Sequence, residues 1–177
     1  MISLKGENLF LRALEPEDLE FLYELENNPE IWEVSGTLVP YSRMLLNQYL
    51  KVAHKDIYEV KQLRLVLCAR DDSRIGLIDL FDFNPYHRRA GIGIVIASET
   101  NRRKGYGSEA LQLLCEYCFT RLHLHQVYAG VGVHNLASVS LFRKSGFKET
   151  GIRLDWNRTE NGFEDEILFQ KINKDVH

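Results

Sequence analysis

The stretch Arg102-Arg103-Lys104-Gly105-Tyr106-Gly107-Ser108 determines how the rest of this 177-residue chain is interpreted. It lies between an apolar run, Ile92 to Ala97, and a run with helical periodicity, Glu109 to Leu122, so the pattern predicts a strand, a glycine turn and a helix. Glycine lets the backbone approach a ligand closely, and the first N–H groups of a helix have no partner within it. Because the helix dipole and three adjacent cations also favour an anion, this stretch predicts a phosphate or pyrophosphate site.

Two common phosphate-binding motifs do not fit this stretch. The Walker loop requires Gly-Lys-Ser/Thr, whereas Gly107 is followed by Ser108 and Glu109. The dinucleotide-binding motif requires a third glycine at the position of Ala110. The spacing Arg102-x-x-Gly105-x-Gly107 remains, and the alternative interpretation is an ordinary basic helix start.

Length and composition predict one domain, residues 1–177. A chain of this length with 45% hydrophobic residues can bury roughly 70% of the surface that it exposes when unfolded. The formal charge of -3 disfavours nucleic acid as the main partner. Residues Met1 to Phe10 contain no apolar run typical of a signal peptide, and no stretch approaches the roughly 20 apolar residues of a membrane span. We therefore predict no membrane partner and a cytoplasmic location.

The three cysteines, Cys68, Cys115 and Cys118, are too few and odd in number for a disulfide framework. Cys115 and Cys118 form a Cys-x-x-Cys pair near two histidines, which is a conceivable zinc site. Both lie within the predicted helix among apolar residues, so we expect buried thiols and predict no metal.

Hydrophobic periodicity and turn residues predict an alternation of strands and helices along the chain. The predicted order is a strand at Leu9 to Ala13, a helix to about Asn27, a loop from Ile31 to Tyr41, a helix from Ser42 to about His54, strands at Leu63 to Ala69, Ile75 to Phe83 and Arg89 to Ala97, the helix after the glycine turn, a strand at Gln126 to Val133, a helix at Leu136 to Lys144, and strands at Phe147 to Trp156 and Glu164 to Lys171. The strands that flank the third helix should run parallel, because a strand, helix, strand unit joins parallel strands.

This order of elements, together with the glycine motif, resembles the GNAT superfamily of acetyl-CoA-dependent N-acetyltransferases. The resemblance covers nearly the whole chain. A second motif supports it, since Asn135 is followed by small residues and then by Lys144-Ser145-Gly146-Phe147. The segment from Gly76 to Asn84, with His87-Arg88-Arg89-Ala90 after it, is similar to the spermidine acetyltransferase branch. The branch that acetylates N-terminal amines of ribosomal proteins shares the general layout.

The resemblance implies an α/β (α+β) fold, with a mixed, mostly antiparallel central sheet, a splayed parallel strand pair and about four helices. It implies acetyl-CoA as co-substrate. The backbone of Ile94, Val95 and Ile96 would bind the pantetheine arm, and Asn135 would contact the arm from the far side, although Asn135 is equally explained as the N-cap of a helix and can fill both roles. The pyrophosphate would be held by Arg102, Arg103, Lys104, Gly105, Tyr106, Gly107 and Ser108.

Acetyl transfer to an amine also needs a proton acceptor. A free alkyl ammonium group has a pKa of about 10.4, so it must lose a proton before it attacks the thioester. We predict Asp82 and Asp79 as the catalytic candidates. The position of Asp82 matches a carboxylate that the spermidine branch uses near the acceptor, and the alternative is a solvated charge at the end of a strand. His87 and His134 are weaker candidates for proton relay.

The sequence departs from the family pattern at two places. Phe142 occupies the position of a tyrosine that is taken to protonate the departing thiolate, and phenylalanine has no proton to donate. Leu38-Val39 precede Pro40-Tyr41, where polyamine enzymes carry paired acids. Glu30 and Glu33 could compensate for those acids, and Trp32 could line the acceptor pocket.

We therefore predict an N-acetyltransferase that transfers the acetyl group of acetyl-CoA to a primary amine, either a polyamine-like small molecule or a protein N-terminal amine. Phe142 motivates an alternative, a non-catalytic module that binds or senses acyl-CoA, and a purely structural role is a third hypothesis. Relatives in the family commonly assemble, so the resemblance also implies a possible homo-oligomer.

Overall fold

The structure, a computed structural model, describes residues 4–174 and forms one seven-stranded sheet. The ends of the predicted domain, residues 1–3 and 175–177, lie outside the described part. The sheet order is β1-β2-β3-β4-β5-β7-β6. Its strands are β1 (Leu9–Ala13), β2 (Leu63–Ala69), β3 (Arg74–Asn84), β4 (Arg89–Ile96), β5 (Gln126–Gly132), β6 (Lys148–Thr159) and β7 (Gly162–Ile172).

The described residues contain seven α-helices rather than the four or so that we predicted. They are α1 (Leu19–Glu26), α2 (Pro29–Ser35), α3 (Arg43–Val52), α4 (Ile57–Val60), α5 (Glu99–Arg102), α6 (Tyr106–Thr120) and α7 (Leu136–Lys144), and a single 3-10 turn (Pro16–Asp18) precedes α1. The additional helices are short, since α2 has 7 residues and α4 and α5 have 4 each.

The loop predicted from Ile31 to Tyr41 is wrong over its first part, which belongs to α2. Local signals fix this helix at both ends. The Asn28 side chain accepts a hydrogen bond from the N–H of Glu30, Pro29 occupies the first turn, and Gly36 ends the helix in the left-handed conformation at φ 69°.

The parallel pair β4 and β5 diverges after a short contact, which confirms the predicted splay. Only residues 89–91 of β4 pair with residues 126–128 of β5. Beyond Gly91, β3 is the one strand of the described chain that still pairs with β4, and β5 pairs with β7. The sheet therefore opens along the C-terminal halves of two adjacent strands.

Two apolar clusters cover the two faces of the sheet. One lies between the sheet and helices α6 and α7, and it includes Ile78, Leu80, Ile92, Leu111, Leu114, Val127 and Phe142. The other lies beneath α1 and α3 and includes Leu22, Leu25, Leu46, Val66 and Leu77. Cys115 and Cys118 are free and buried, as predicted, and Cys68 is free and buried as well. Burial raises the pKa of Cys115 to about 11. Across residues 4–174, no helix combines the length and apolarity needed to cross a bilayer.

Candidate functional site

A cavity of about 1090 Å³ opens where β4 and β5 diverge. One wall is formed by β4 and the C-terminal half of β5, and the opposite side by α2 and the β6–β7 hairpin. Its lining includes Ile92, Gly93, Ile94, Val95, Gly130, Val131, Gly132, Asn135, Phe142, Trp32 and Trp156. The cavity thus lies directly beside the strand edge that we predicted would bind a pantetheine arm.

Within residues 4–174, no strand pairs with the edge of β4 that faces this cavity. Ile94, Val95 and Ile96 pair on their other side with β3, opposite Ile78, Leu77 and Gly76. Because alternate peptide groups of a strand point to opposite edges, part of this backbone can hydrogen-bond to a ligand lying in the splay. The strands of the described chain therefore leave one edge of the predicted backbone site open to a ligand.

The glycine turn begins α6 at the C-terminal end of β4. Gly105 adopts the left-handed conformation, φ 79°, and no side chain among the described residues caps the helix N-terminus. Tyr106, Gly107 and Ser108 form the first turn of α6, so their N–H groups lack intrahelical partners. Arg102 ends the short helix α5, and Arg102, Arg103 and Lys104 are exposed beside the turn. The structure brings all seven residues of the predicted stretch together at one end of the splay.

Gly107 has a separate packing role. A Cβ atom at this position would lie 3.1 Å from Leu141 Cδ2 on α7, so glycine allows α6 and α7 to pack closely. Asn135 caps α7, since its Oδ1 accepts a hydrogen bond from the N–H of Ser138 at 3.2 Å. Asn135 also lines the cavity, and its NH2 group remains as a donor. The two roles predicted for Asn135 are therefore compatible in this geometry.

Asp79 lines the cavity but is tightly paired. Arg64 donates to both of its oxygens, from Nε to Oδ1 at 2.7 Å and from Nη2 to Oδ2 at 3.0 Å. The third arm of Arg64, Nη1, donates to Glu26 Oε1 at 2.6 Å. Glu26 is the last residue of α1, so this ion-pair network links α1 to β2 and β3 next to the cavity.

Asp82 lies apart from the cavity lining. The β3–β4 pairing is interrupted between Phe81 and Asn84, and Asp82 adopts a positive φ of 48° in this bulge. Its side chain is exposed. Burial, followed by the charge of Asp82, raises the pKa of Tyr128 on β5. Asp82 therefore lies beside the end of β4 that is still paired with β5, whereas Asp79 faces the cavity.

Phe142 lines the cavity as an apolar residue. It stacks against Phe169 with a centroid distance of 5.7 Å and packs edge-on against Phe147 at 5.0 Å. Only 3% of its surface is exposed. At this position the protein supplies packing rather than a hydroxyl group.

Several cavity residues were not identified from the sequence. Glu26, Arg64, Trp156, Arg158, Glu160, Glu164 and Glu166 all line the cavity. Trp32 lines it as predicted, and its Nε1 donates to the backbone oxygen of Glu26 at 2.8 Å. Glu33 also lines it and accepts a hydrogen bond from the N–H of Glu160 at 3.2 Å, which connects α2 to the β6–β7 turn. Glu30 is not among the lining residues.

Comparison with known proteins agrees with this architecture. Residues 8–148 match the model of the acetyltransferase (GNAT) domain. The spermidine N(1)-acetyltransferase of Vibrio cholerae is 34% identical over 146 residues, which cover 82% of this chain and 82% of that protein.

Solved structures are similar over nearly the whole chain. A crystal structure of spermidine N-acetyltransferase from Vibrio cholerae in complex with CoA and spermine has a TM-score of 0.85 at 29% identity, covering 94% of this chain and 96% of that one. A dodecameric structure of the Vibrio cholerae enzyme has a TM-score of 0.78 at 27% identity, covering 94% and 95%. The chain belongs to the GNAT family of acetyltransferases, which transfer the acetyl group of acetyl-CoA to an amine.

Proposed function

We propose that the acceptor of this N-acetyltransferase is a polyamine, a small molecule that carries two or more ammonium groups. The observation that carries the proposal is the charge of the cavity. Among the described residues, its lining includes six carboxylates, Glu26, Glu33, Asp79, Glu160, Glu164 and Glu166, and two arginines, Arg64 and Arg158, which leaves a net charge of -4. A concave, acidic wall with two tryptophans concentrates and binds cations.

The names of relatives support the same acceptor class, since the Vibrio cholerae enzyme is a spermidine acetyltransferase and was crystallised with spermine. The paired acids missing before Pro40-Tyr41 are replaced in this proposal by acids on α1, α2 and the β6–β7 hairpin. Nothing in the comparisons favours a non-catalytic acyl-CoA module.

Acetyl-CoA would bind along β4, with the uncapped N-terminus of α6 and the cations Arg102, Arg103 and Lys104 at its pyrophosphate. The peptide groups of Ile94, Val95 and Ile96 and the amide of Asn135 would hold its arm. The acceptor nitrogen, once neutral, forms a bond to the acetyl carbon while the carbon–sulfur bond breaks, and the thiolate takes up a proton.

Asp79 and Asp82 remain our proposed catalytic carboxylates. Asp79 is the better placed of the two because it lines the cavity, although both of its oxygens are bound by Arg64. We propose that it receives the ammonium proton through water. Phe142 supplies no acid, but a thiol with an ordinary pKa of about 8.5 is a tolerable leaving group.

The test is release of free thiol from acetyl-CoA with a panel of amines that includes spermidine, spermine, a monoamine and a peptide with a free N-terminus. We expect release with the polyamines and the lowest KM for them. Release with the peptide alone would replace the polyamine by a protein N-terminus, and no release with any amine would overturn the proposal. Asp79→Asn should lower kcat by about a hundredfold, the usual scale for losing a proton acceptor.

We also propose that the protein forms a homo-oligomer and acts in the cytoplasm. The dodecameric Vibrio cholerae structure and the exposed apolar residues of β6 support self-association. The three free thiols are typical of a reducing compartment.

A further inference from the structure

Strand β5 carries glycine at two alternating positions on the sheet face that lines the cavity. A Cβ atom at Gly130 would lie 2.4 Å from Glu166 Oε1, and one at Gly132 would lie 2.1 Å from Glu164 Oε1. Side-chain atoms do not approach so closely, so the two carboxylates occupy the space that side chains on β5 would fill. Neither glycine has a positive φ, so space, rather than backbone conformation, explains glycine here.

These carboxylates lie where the splay begins. The pairing of β4 with β5 ends at Tyr128, two residues before Gly130. Gly132 pairs with Glu166 on β7. Glu164, two residues earlier on β7, lies on the same face because alternate residues of a strand share a face. On the opposite side of the splay, Gly93 of β4 pairs with Asp79. Glu164 and Glu166 therefore face the Asp79–Arg64 pair across the cavity.

The two glutamates differ in how they are held. Glu166 accepts hydrogen bonds from Arg153 Nη1 at 2.9 Å and Asn157 Nδ2 at 3.4 Å, and its side chain is 13% exposed. Arg153 is itself held over the ring of Trp156, 4.7 Å from the centroid. Glu164 accepts one hydrogen bond, from the N–H of His134 at 3.3 Å, and has no cationic partner among the described residues. Its Oε1 thus remains available to a ligand.

We propose that Glu164 and Glu166 form the seat for an ammonium group of the acceptor, and that Gly130 and Gly132 make room for it. The inference rests on the proposed polyamine acceptor and names the residues that select it. Glu164 supplies the uncompensated charge, and Glu166, fixed by Arg153, supplies a rigid second side to the seat. A polyamine has a charged nitrogen that does not react, and holding that nitrogen places the reacting one. No bond is made or broken at the seat, so it should control KM for the acceptor more than kcat.

The charge of the seat is tested by Glu164→Gln and Glu166→Gln, which keep the shape of each side chain. Loss of one charge-assisted hydrogen bond should raise KM for spermidine about tenfold, while KM for acetyl-CoA stays within about twofold. The ratio of kcat/KM for spermidine to that for a monoamine of similar length should fall about tenfold, because the monoamine has no second ammonium group. The matched control is Asp165→Asn, which removes the same charge from the opposite face of β7, where Asp165 Oδ1 accepts a hydrogen bond from the N–H of Asp155 at 2.8 Å. It should leave both KM values within about twofold.

The room made by glycine is tested by Gly130→Ala. The added methyl group should push the Glu166 carboxylate out of the seat and raise KM for spermidine about as much as Glu166→Gln does. Because the two changes remove the same interaction, the double variant should be no worse than either single variant. Melting temperatures of all variants, measured alongside, identify any that have lost the fold, and spermidine titrated calorimetrically into the CoA-loaded protein reports binding without turnover.

The outcomes separate this inference from the proposed function. Wild-type protein that acetylates no polyamine overturns the proposed acceptor. Wild-type protein that acetylates spermidine while the folded Gln variants retain its KM and binding affinity overturns the seat alone. Additive effects of Gly130→Ala and Glu166→Gln would overturn the assignment of Gly130 to the seat.

Discussion

Asp18 is the one acidic residue of the described chain whose side chain is fully buried, with 0% exposure. It accepts hydrogen bonds from Arg12 at 2.8 and 2.9 Å, from Arg74, and from the N–H of Glu15 at 2.8 Å. These contacts join β1, the start of β3 and the entrance to α1. Burial disfavours the charged carboxylate, but the hydrogen bonds from Arg12, Glu15 and Arg74 outweigh it and lower the pKa of Asp18 to about 2.

This lowered pKa predicts how stability depends on pH. The folded-state value of about 2 lies below the ordinary value of 3.8, so the unfolded chain binds the proton first as the pH falls. The contribution of Asp18 is therefore fully present above about pH 4 and is lost as the pH falls towards 2; a shift of this size corresponds to about 2 kcal/mol. Urea unfolding of Asp18→Asn at pH 7 should show a loss of about 3 kcal/mol, because two arginines lose a buried charged partner.

The control at the residue scale is Glu20→Gln. Glu20 pairs with Arg43 at 2.9 Å, but its side chain is 61% exposed, so its ion pair is screened by water. We expect little change in the free energy of unfolding for this variant. The pH values 2.5 and 7 lie below and well above the ordinary carboxyl pKa of 3.8. If the free energies of unfolding of wild type and Asp18→Asn differ by the same amount at both pH values, the proposed linkage is wrong.

At the scale of elements, the N-terminus of α6 makes the next prediction. Gly105 adopts φ 79°, and a Cβ atom there would meet nothing within 4 Å, so the cost of a side chain is conformational rather than steric. Asn and Asp both tolerate the left-handed conformation better than other residues and have the same shape. Gly105→Asp should raise KM for acetyl-CoA about tenfold or more, because a carboxylate at this end repels a pyrophosphate, whereas Gly105→Asn should raise it by no more than about threefold.

The comparison of Gly105→Asp with Gly105→Asn separates charge from backbone strain, since the two variants should melt at similar temperatures. KM for the amine should change little in either, because none of residues 102–108 lines the cavity that we propose for the acceptor. Equal KM values for acetyl-CoA in the two variants would show that the α6 terminus does not bind the pyrophosphate.

The elements that were predictable from the sequence are those with a clear period or a complete turn signal. All seven strands and the longer helices lie within a few residues of their predicted bounds. Helix α2 was missed although Asn28, Pro29 and Gly36 mark its ends, because a segment of 7 residues shows no clear amphipathic period. Helices α4 and α5, of 4 residues each, are single turns that depend on their surroundings and carry almost no periodic signal.

At the scale of the whole molecule, the parts of the site formed by residues close in sequence were predictable. The parts formed by residues far apart in sequence were not. The strand edge at Ile94 to Ile96 and the turn at Gly105 lie close together in the sequence, so one local pattern could indicate both. The acidic wall combines α1, α2, β3 and β7, and its assembly depends on strand register. The sequence shows glycine at two alternate positions, Gly130 and Gly132, and glutamate at two others, Glu164 and Glu166. That these two pairs lie next to each other became clear only from the β5–β7 register.

One bulge in β3 explains the different positions of the two predicted carboxylates, Asp79 and Asp82. A regular strand would have kept Asp82 on the face of Ile78 and Leu80, and a bulge cannot be located from residue alternation. The structure turns Asp82 outwards at φ 48° and leaves Asp79 facing the cavity.

The other whole-molecule feature is the exposed edge of the sheet formed by β6. This strand has 12 residues and is paired only with β7, so its outer edge is open within the described chain. Ile152 and Leu154 are 60% and 75% exposed on it. Long edge strands with exposed apolar side chains are typically covered by a partner, and a second copy of the chain is the partner that our proposed homo-oligomer supplies.

We therefore expect Leu154→Asp to dissociate the oligomer. A charge placed in an apolar interface must be desolvated on assembly, so the sedimentation coefficient at micromolar concentration should fall to that of a 20.6 kDa monomer. Because Leu154 is exposed in the single chain, the melting temperature should change only as far as it depends on assembly. Val52→Asp is the matched control, since Val52 is 47% exposed at the end of α3. Helix α3 packs over Val66 of β2, towards the opposite end of the sheet order from β6, so this variant should leave the assembly intact. A wild-type protein that sediments as a monomer would contradict self-association, and an unchanged oligomer of Leu154→Asp would place the interface on another surface.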